Sequence, residues 1–117
     1  MSYVMGMLAP VPVANKEAYR RHAATAKKVF LRHGALDVQE CWGDFVPDGK
    51  LNSLKTAVLQ KEGETVAMSW IVWPDKATCE AGMSALMQAP EMSQDTNPMP
   101  FDGSRMIYGG FEAMDLA

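Results

Sequence analysis

Glu40, Trp42 and Asp44 place two carboxylates around an indole at alternate positions of one stretch. If that stretch is a strand, all three share a face, because side chains alternate with a period of two. A carboxylate held beside an apolar ring loses solvation, its pKa rises, and it becomes a candidate general base. The plainer alternative is an ion pair with a strand-end arginine, for which Arg105 is the natural partner. His22 supplies a different kind of base, one step off the apolar stripe of a predicted helix, where a histidine can also ligate haem. More often such a histidine is a satisfied packing residue. The catalytic candidates are therefore Asp44, Glu40 and His22. The ligand-binding candidates are Trp42, Asp44, Arg105 and Tyr108.

No other constellation carries chemistry. The chain lacks a serine-histidine-aspartate set, a phosphate-binding loop, a dinucleotide fingerprint and zinc-ligand spacing, so no cofactor and no metal are expected. Gly109-Gly110 falls inside a predicted strand and reads as a bulge or a close backbone approach. Cys41 and Cys79 have neither CxxC nor Cys/His spacing and read as buried thiols of a reducing cytoplasm. Ten methionines read as adaptable core and interface filler rather than metal ligands.

The elements that must position these residues follow from periodicity. Tyr3 to Val11 alternates and predicts a first strand, ended by Pro10 and Pro12. Asn15 is placed to cap a helix from Lys16 to about His33, with Tyr19, Ala23, Ala26, Phe30 and His33 as its apolar stripe. Gly34 supplies the stop. A second strand spans about Ala35 to Val46, followed by the Pro47-Asp48-Gly49 turn. Ser53 to Gln60 can form a short helix with Leu54 and Val58 inward.

Thr65 to Trp73 predicts a third strand, with Trp70 and Trp73 on opposite faces. Asp75 caps a second long helix whose inward stripe is Cys79, Gly82, Met83 and Leu86, with Gly82 marking close helix–sheet approach. A loop with Pro98 and Pro100 then leads into a last strand from Arg105 to Met114.

The order β-α-β-β-α-β is the split pattern of an α+β, ferredoxin-like domain: a four-stranded antiparallel sheet with two helices on one face. At 117 residues the chain is a single domain, 1–117. All four strands carry large apolar residues on both faces, so the face without helices calls for a second copy. The economical assembly is a two-fold homodimer whose sheets face each other as a dimeric α+β barrel. A net charge of -3 and a pI near 5.3 argue against nucleic-acid partners, and the absence of a long apolar run argues against a membrane. No secretory signal is visible, which points to a cytoplasmic protein.

Several ordered segments together resemble one small bacterial family. They include Met1-Ser2-Tyr3-Val4, His33-Gly34-Ala35-Leu36, Glu40 to Asp44 with Val46 to Lys50, Glu62 to Val66, and Ser69-Trp70-Ile71 with Trp73 to Thr78. Pro100 to Gly103 and Arg105 to Glu112 complete the set. The chain resembles the YbaA-like family, a domain of unknown function, over nearly its whole length. The resemblance implies a dimeric α+β barrel, the superfamily that also contains cofactor-free monooxygenases and haem-degrading enzymes. It implies no catalytic residues. Phe45 stands where the family pattern implies a second aspartate after Asp44.

Three functions fit these residues. One is a homodimeric barrel binding a small, partly apolar molecule between sheet and helices, with the Pro98–Gly103 loop as lid. A second is an enzyme of monooxygenase or isomerase type using Asp44, Glu40 or His22 as base. In the third, the polar residues only set the register of a structural dimer.

Overall fold

The computed structural model describes residues 2–117. Its elements are β1 (Tyr3–Pro12), α1 (Lys16–Arg32), β2 (Asp37–Trp42), α2 (Leu54–Ala57), β3 (Glu64–Trp73), α3 (Lys76–Gln88) and β4 (Ile107–Glu112). The strands form one antiparallel sheet in the order β2-β3-β1-β4, the α+β arrangement of ferredoxin-like domains with one short extra helix. The two long strands are central, and β2 and β4 form the edges.

Pro10 and Pro12 do not end β1, which continues to Pro12 opposite Glu64. Val13 donates to the Gly63 carbonyl at 2.9 Å, so odd-numbered residues here bond to β3 and the proline nitrogens face the other way. On that side β4 pairs with β1 only from Tyr3 to Leu8, so the missing N–H groups remove no ladder bond. β2 stops at Trp42, shorter than its alternation predicts. Gly43 still donates to the Val66 carbonyl at 2.8 Å, and beyond it Asp44 and Phe45 are exposed. β4 likewise starts at Ile107, because Gly103–Arg105 closes into a 3-10 turn.

Helix capping divides in the same way. Asp75 caps α3 by accepting from the Thr78 amide at 2.7 Å, as its position predicts. Asn15 makes no such bond to α1; its Nδ2 donates to the Pro100 carbonyl at 2.8 Å and ties the loop before β4 to the start of the helix. Gly34, at φ +103°, provides the left-handed stop after α1. His33 is exposed and does not extend the inward stripe, because the helix ends at Arg32. At the short helix, Val58 is fully buried just past its end, but Leu54 at its start is turned to solvent.

One sheet face carries Met5, Ala9, Val11, Val38, Ala67, Ile71 and Trp73, all buried beneath α1 and α3. Trp73 meets Phe30 of α1 edge-to-face at 5.8 Å between ring centres. A β-carbon on Gly82 of α3 would overlap the same indole, so a side chain has no room at this contact. The opposite face carries Val4, Leu8, Trp70 and Val72, each half-buried, with Met68, Ile107 and Phe111 exposed. The two tryptophans of β3 thus serve opposite faces.

Candidate functional site

The helices do not fill the space above the sheet. A cavity of about 880 Å³ lies between α1, α3, the loop before β4 and the sheet, with residues of all four strands in its lining. Its floor is formed by inward residues of β1 and β3, among them Met5, Met7 and Ser69. Near β4 the lining comes from Tyr108 and Gly110, with the Tyr3 ring beside them. Gly110 pairs with Met5, and the Tyr3 ring occupies the place where a β-carbon on Gly110 would stand. α3 contributes Cys79, Met83 and Met87 to one wall, and the loop adds Met92, Met99 and Phe101. Seven methionines line the space, so the ten in the sequence are concentrated here rather than spread through the core. Thioethers on flexible stems give a polarisable wall that can adapt to different shapes.

The polar groups are few and grouped. Tyr19 projects from the apolar stripe of α1, and its hydroxyl donates to Glu40 Oε1 at 2.6 Å. Glu40 is on the inward face of β2, directly opposite Ser69 of β3. Burial raises the Glu40 carboxyl above its usual range, and the Tyr19 hydrogen bond partly offsets this. Burial and the adjacent Glu40 charge push the Tyr19 phenol well above its usual range, so Tyr19 stays a donor. Its ring stands between Trp42 and Phe101, each 5.9 Å away between ring centres. One turn further along, His22 meets Phe101 edge-on at 6.3 Å, and its buried Nδ1 has no hydrogen-bond partner. Burial lowers the His22 pKa, so the neutral imidazole is favoured at pH 7.

Of the residues singled out from the sequence, Glu40, His22 and Tyr108 line this cavity. Trp42 stands behind Tyr19, with the Lys16 ammonium 5.7 Å from its ring centre. Asp44 lies past the end of β2 in solvent, so the shared face contains Glu40 and Trp42 only. Arg105 pairs with neither Glu40 nor Asp44. Its two terminal nitrogens each donate to Glu64 at 2.7 Å, its Nε reaches Asp102 at 3.0 Å, and it also bonds the Leu59 carbonyl at 2.9 Å. That clamp fastens the loop before β4 to the start of β3 and holds the Glu64 carboxyl near a pKa of about 2.

Tyr19 and Ser69 belong to the site although their sequence positions mark them only as core. The one available signal was chemical: a hydroxyl in the middle of an apolar stripe needs a partner, and the inward face of β2 offers Glu40. Among the described residues no group of three or more histidine, cysteine, aspartate or glutamate side chains is placed to hold a metal. Among the same residues no helix is long and apolar enough to cross a membrane.

Residues 2–103 match the family described as "Protein of unknown function (DUF1428)". The chain is 46% identical over 114 residues to "Uncharacterized protein YbaA" of Escherichia coli strain K12, covering 97% of each, and equally to the protein of that name from Shigella flexneri. Among solved structures, the de novo designed protein Foldit4 superposes with a TM-score of 0.50 at 15% identity, over 97% of this chain and 100% of that one, a likeness of fold alone. By both the family match and its YbaA relatives, the chain belongs to the DUF1428 family.

Proposed function

We propose that this domain binds a small, partly apolar molecule in the cavity between its helices and its sheet. The observation that carries the reading is the cavity itself: about 880 Å³, walled by methionines and aromatic rings, with one grouped set of polar atoms. Small-molecule sites have that make-up, an apolar wall with a few convergent polar groups. Tyr19, Glu40 and His22 would orient the ligand. The loop bearing Met99 and Phe101, held by Asn15 at Pro100 between them and by Arg105 further on, would cover it. Thermal-shift screening of phenols, quinols and haem against the native chain and Ala26→Phe, which fills the cavity from α1, tests the reading. Stabilisation of the native chain alone supports it, and equal responses of the two proteins contradict it.

Glu40 favours a second reading, in which the cavity is catalytic. A carboxyl raised by burial beside a bound phenol or enol is suited to proton abstraction. Turnover of a bound phenol under oxygen that disappears in Glu40→Gln supports this reading, and binding without turnover contradicts it.

The partner in either case is a second copy of the chain, seated through the open sheet face in a cytoplasmic homodimer. Met68, Ile107 and Phe111 are exposed there beside half-buried Val4, Leu8, Trp70 and Val72, a patch of the kind that closes against itself about a two-fold axis.

A further inference from the structure

The cavity has a charge preference that its apolar walls conceal. Its lining includes two carboxylates, Glu40 and Glu80, and among the described residues no lysine or arginine. The cations of α1 are engaged elsewhere: Arg20, Arg21, Lys27 and Lys28 are exposed, Arg32 pairs with Glu91, and Lys16 is over Trp42. Arg105 is committed to Glu64 and Asp102. Glu80, at the rim, is 3.9 Å from Lys76 and exposed. Glu40 is different. It is inside, and among the described residues its one side-chain donor is the neutral Tyr19 hydroxyl and no cationic side chain pairs with it.

A half-buried carboxylate without a counter-ion is unfavourable, and a charged ligand removed from water gains most where the opposite charge already waits. Aromatic faces reinforce the same sign. Tyr19 and Phe101 present rings to the cavity, and ring faces attract cations. An anionic ligand would meet Glu40 with no compensating donor from lysine or arginine. We infer that the cavity selects an organic cation: a protonated amine on an aromatic body, its ammonium beside the Glu40 carboxylate and its ring among the methionines. The His22 Nδ1, which has no hydrogen-bond partner and lies beside Phe101 in the cavity lining, supplies a further polar contact. The upward displacement of the Glu40 carboxyl agrees with a group whose cationic partner is not a side chain. This inference rests on the ligand-binding reading above and adds the chemical class.

Three probes with one ring system separate the two claims: tryptamine (cation), tryptophol (neutral) and indole-3-propionate (anion), each titrated calorimetrically into the native chain at pH 7. The expected order is tryptamine tightest, by tenfold or more over tryptophol, with indole-3-propionate weakest. In Glu40→Gln, which keeps an acceptor for Tyr19, tryptamine falls to within threefold of tryptophol. The ranking on the native chain stands whether or not that variant folds. Tryptophol or indole-3-propionate binding as tightly as tryptamine overturns the charge preference and leaves the binding site in place. A tryptamine preference undiminished in folded Glu40→Gln overturns the role of Glu40. If none of the three binds, the inference and the ligand-binding reading fall together.

Discussion

The Tyr19 hydroxyl donates to the Glu40 carboxylate at 2.6 Å across the interface between α1 and β2. It is the polar contact that joins helix and sheet at the floor of the cavity, and it links stability to pH. Tyr19→Phe removes a charge-assisted donor from a half-buried carboxylate, and the expected loss is about 1–3 kcal/mol in urea unfolding at pH 7. A change below about 0.5 kcal/mol would mean the contact contributes nothing.

Glu40 also fixes the sign of a pH effect. Its carboxyl is raised in the folded state, so the native protein holds the proton more tightly than the unfolded chain. Stability attributable to Glu40 is full below its unfolded value near 4.5 and is lost as pH rises through the folded value. Comparing unfolding free energies of the native chain and Glu40→Gln from pH 4 to 8 should show the variant gaining relative stability as pH rises. A constant difference contradicts the shift.

Glu64 behaves oppositely. The paired bonds from Arg105 hold its carboxyl near a pKa of about 2, so its contribution is present above about 4.5 and is lost as pH falls toward 2. Glu64→Gln should lower the melting temperature by roughly 5 °C at pH 7 and by much less near pH 2. An equal drop at both pH values would show that the pair is not what the substitution removes.

Gly82 tests the packing of α3 on the sheet. Alanine has the better helix propensity by about 1 kcal/mol, yet its β-carbon would overlap the Trp73 indole. Overpacking should win, with Gly82→Ala destabilised by about 1–3 kcal/mol in chemical unfolding. A stabilised variant would show that α3 lifts away from Trp73 without loss.

The open sheet face predicts an assembly state. Light scattering of the native chain should give twice the 12.8 kDa chain mass. Met68→Lys with Phe111→Glu places unpaired charges on that face and should return the mass to 12.8 kDa while circular dichroism stays unchanged. A native mass of 12.8 kDa at micromolar concentration contradicts the dimer.

Much of this fold can be read directly from the chain because its signals are local. Alternation in Tyr3–Pro12 and Glu64–Trp73 marks the central strands, Asp75 and Gly34 mark helix ends, and Gly82 marks the close approach to Trp73. The site is harder to read because its partners are distant. Arg105 and Glu64 are 41 residues apart, and nothing local distinguishes that pairing from one with Glu40 or Asp44. Asp44 continues the alternation of β2 on paper, but the strand ends two residues earlier, and alternation alone does not locate a strand end. Tyr19 looks like any core residue until β2 is placed beneath it. The clustering of methionines is likewise invisible in sequence, since Met5 and Met106 come to line one cavity only once the sheet and the loop before β4 are assembled.

The central claim is that the helix–sheet cavity is the binding site, and the methionines themselves can report it. In a chain labelled with carbon-13 at the methionine methyl groups, each methyl gives its own nuclear magnetic resonance signal. Met5, Met7, Met83, Met92, Met99 and Met106 line the cavity, whereas Met68 lies on the open sheet face and Met114 follows β4 in an exposed position. Titration with tryptamine should shift the cavity methyls together and saturably while Met68 and Met114 stay fixed. Shifts confined to Met68, or no shifts at all, would contradict the account.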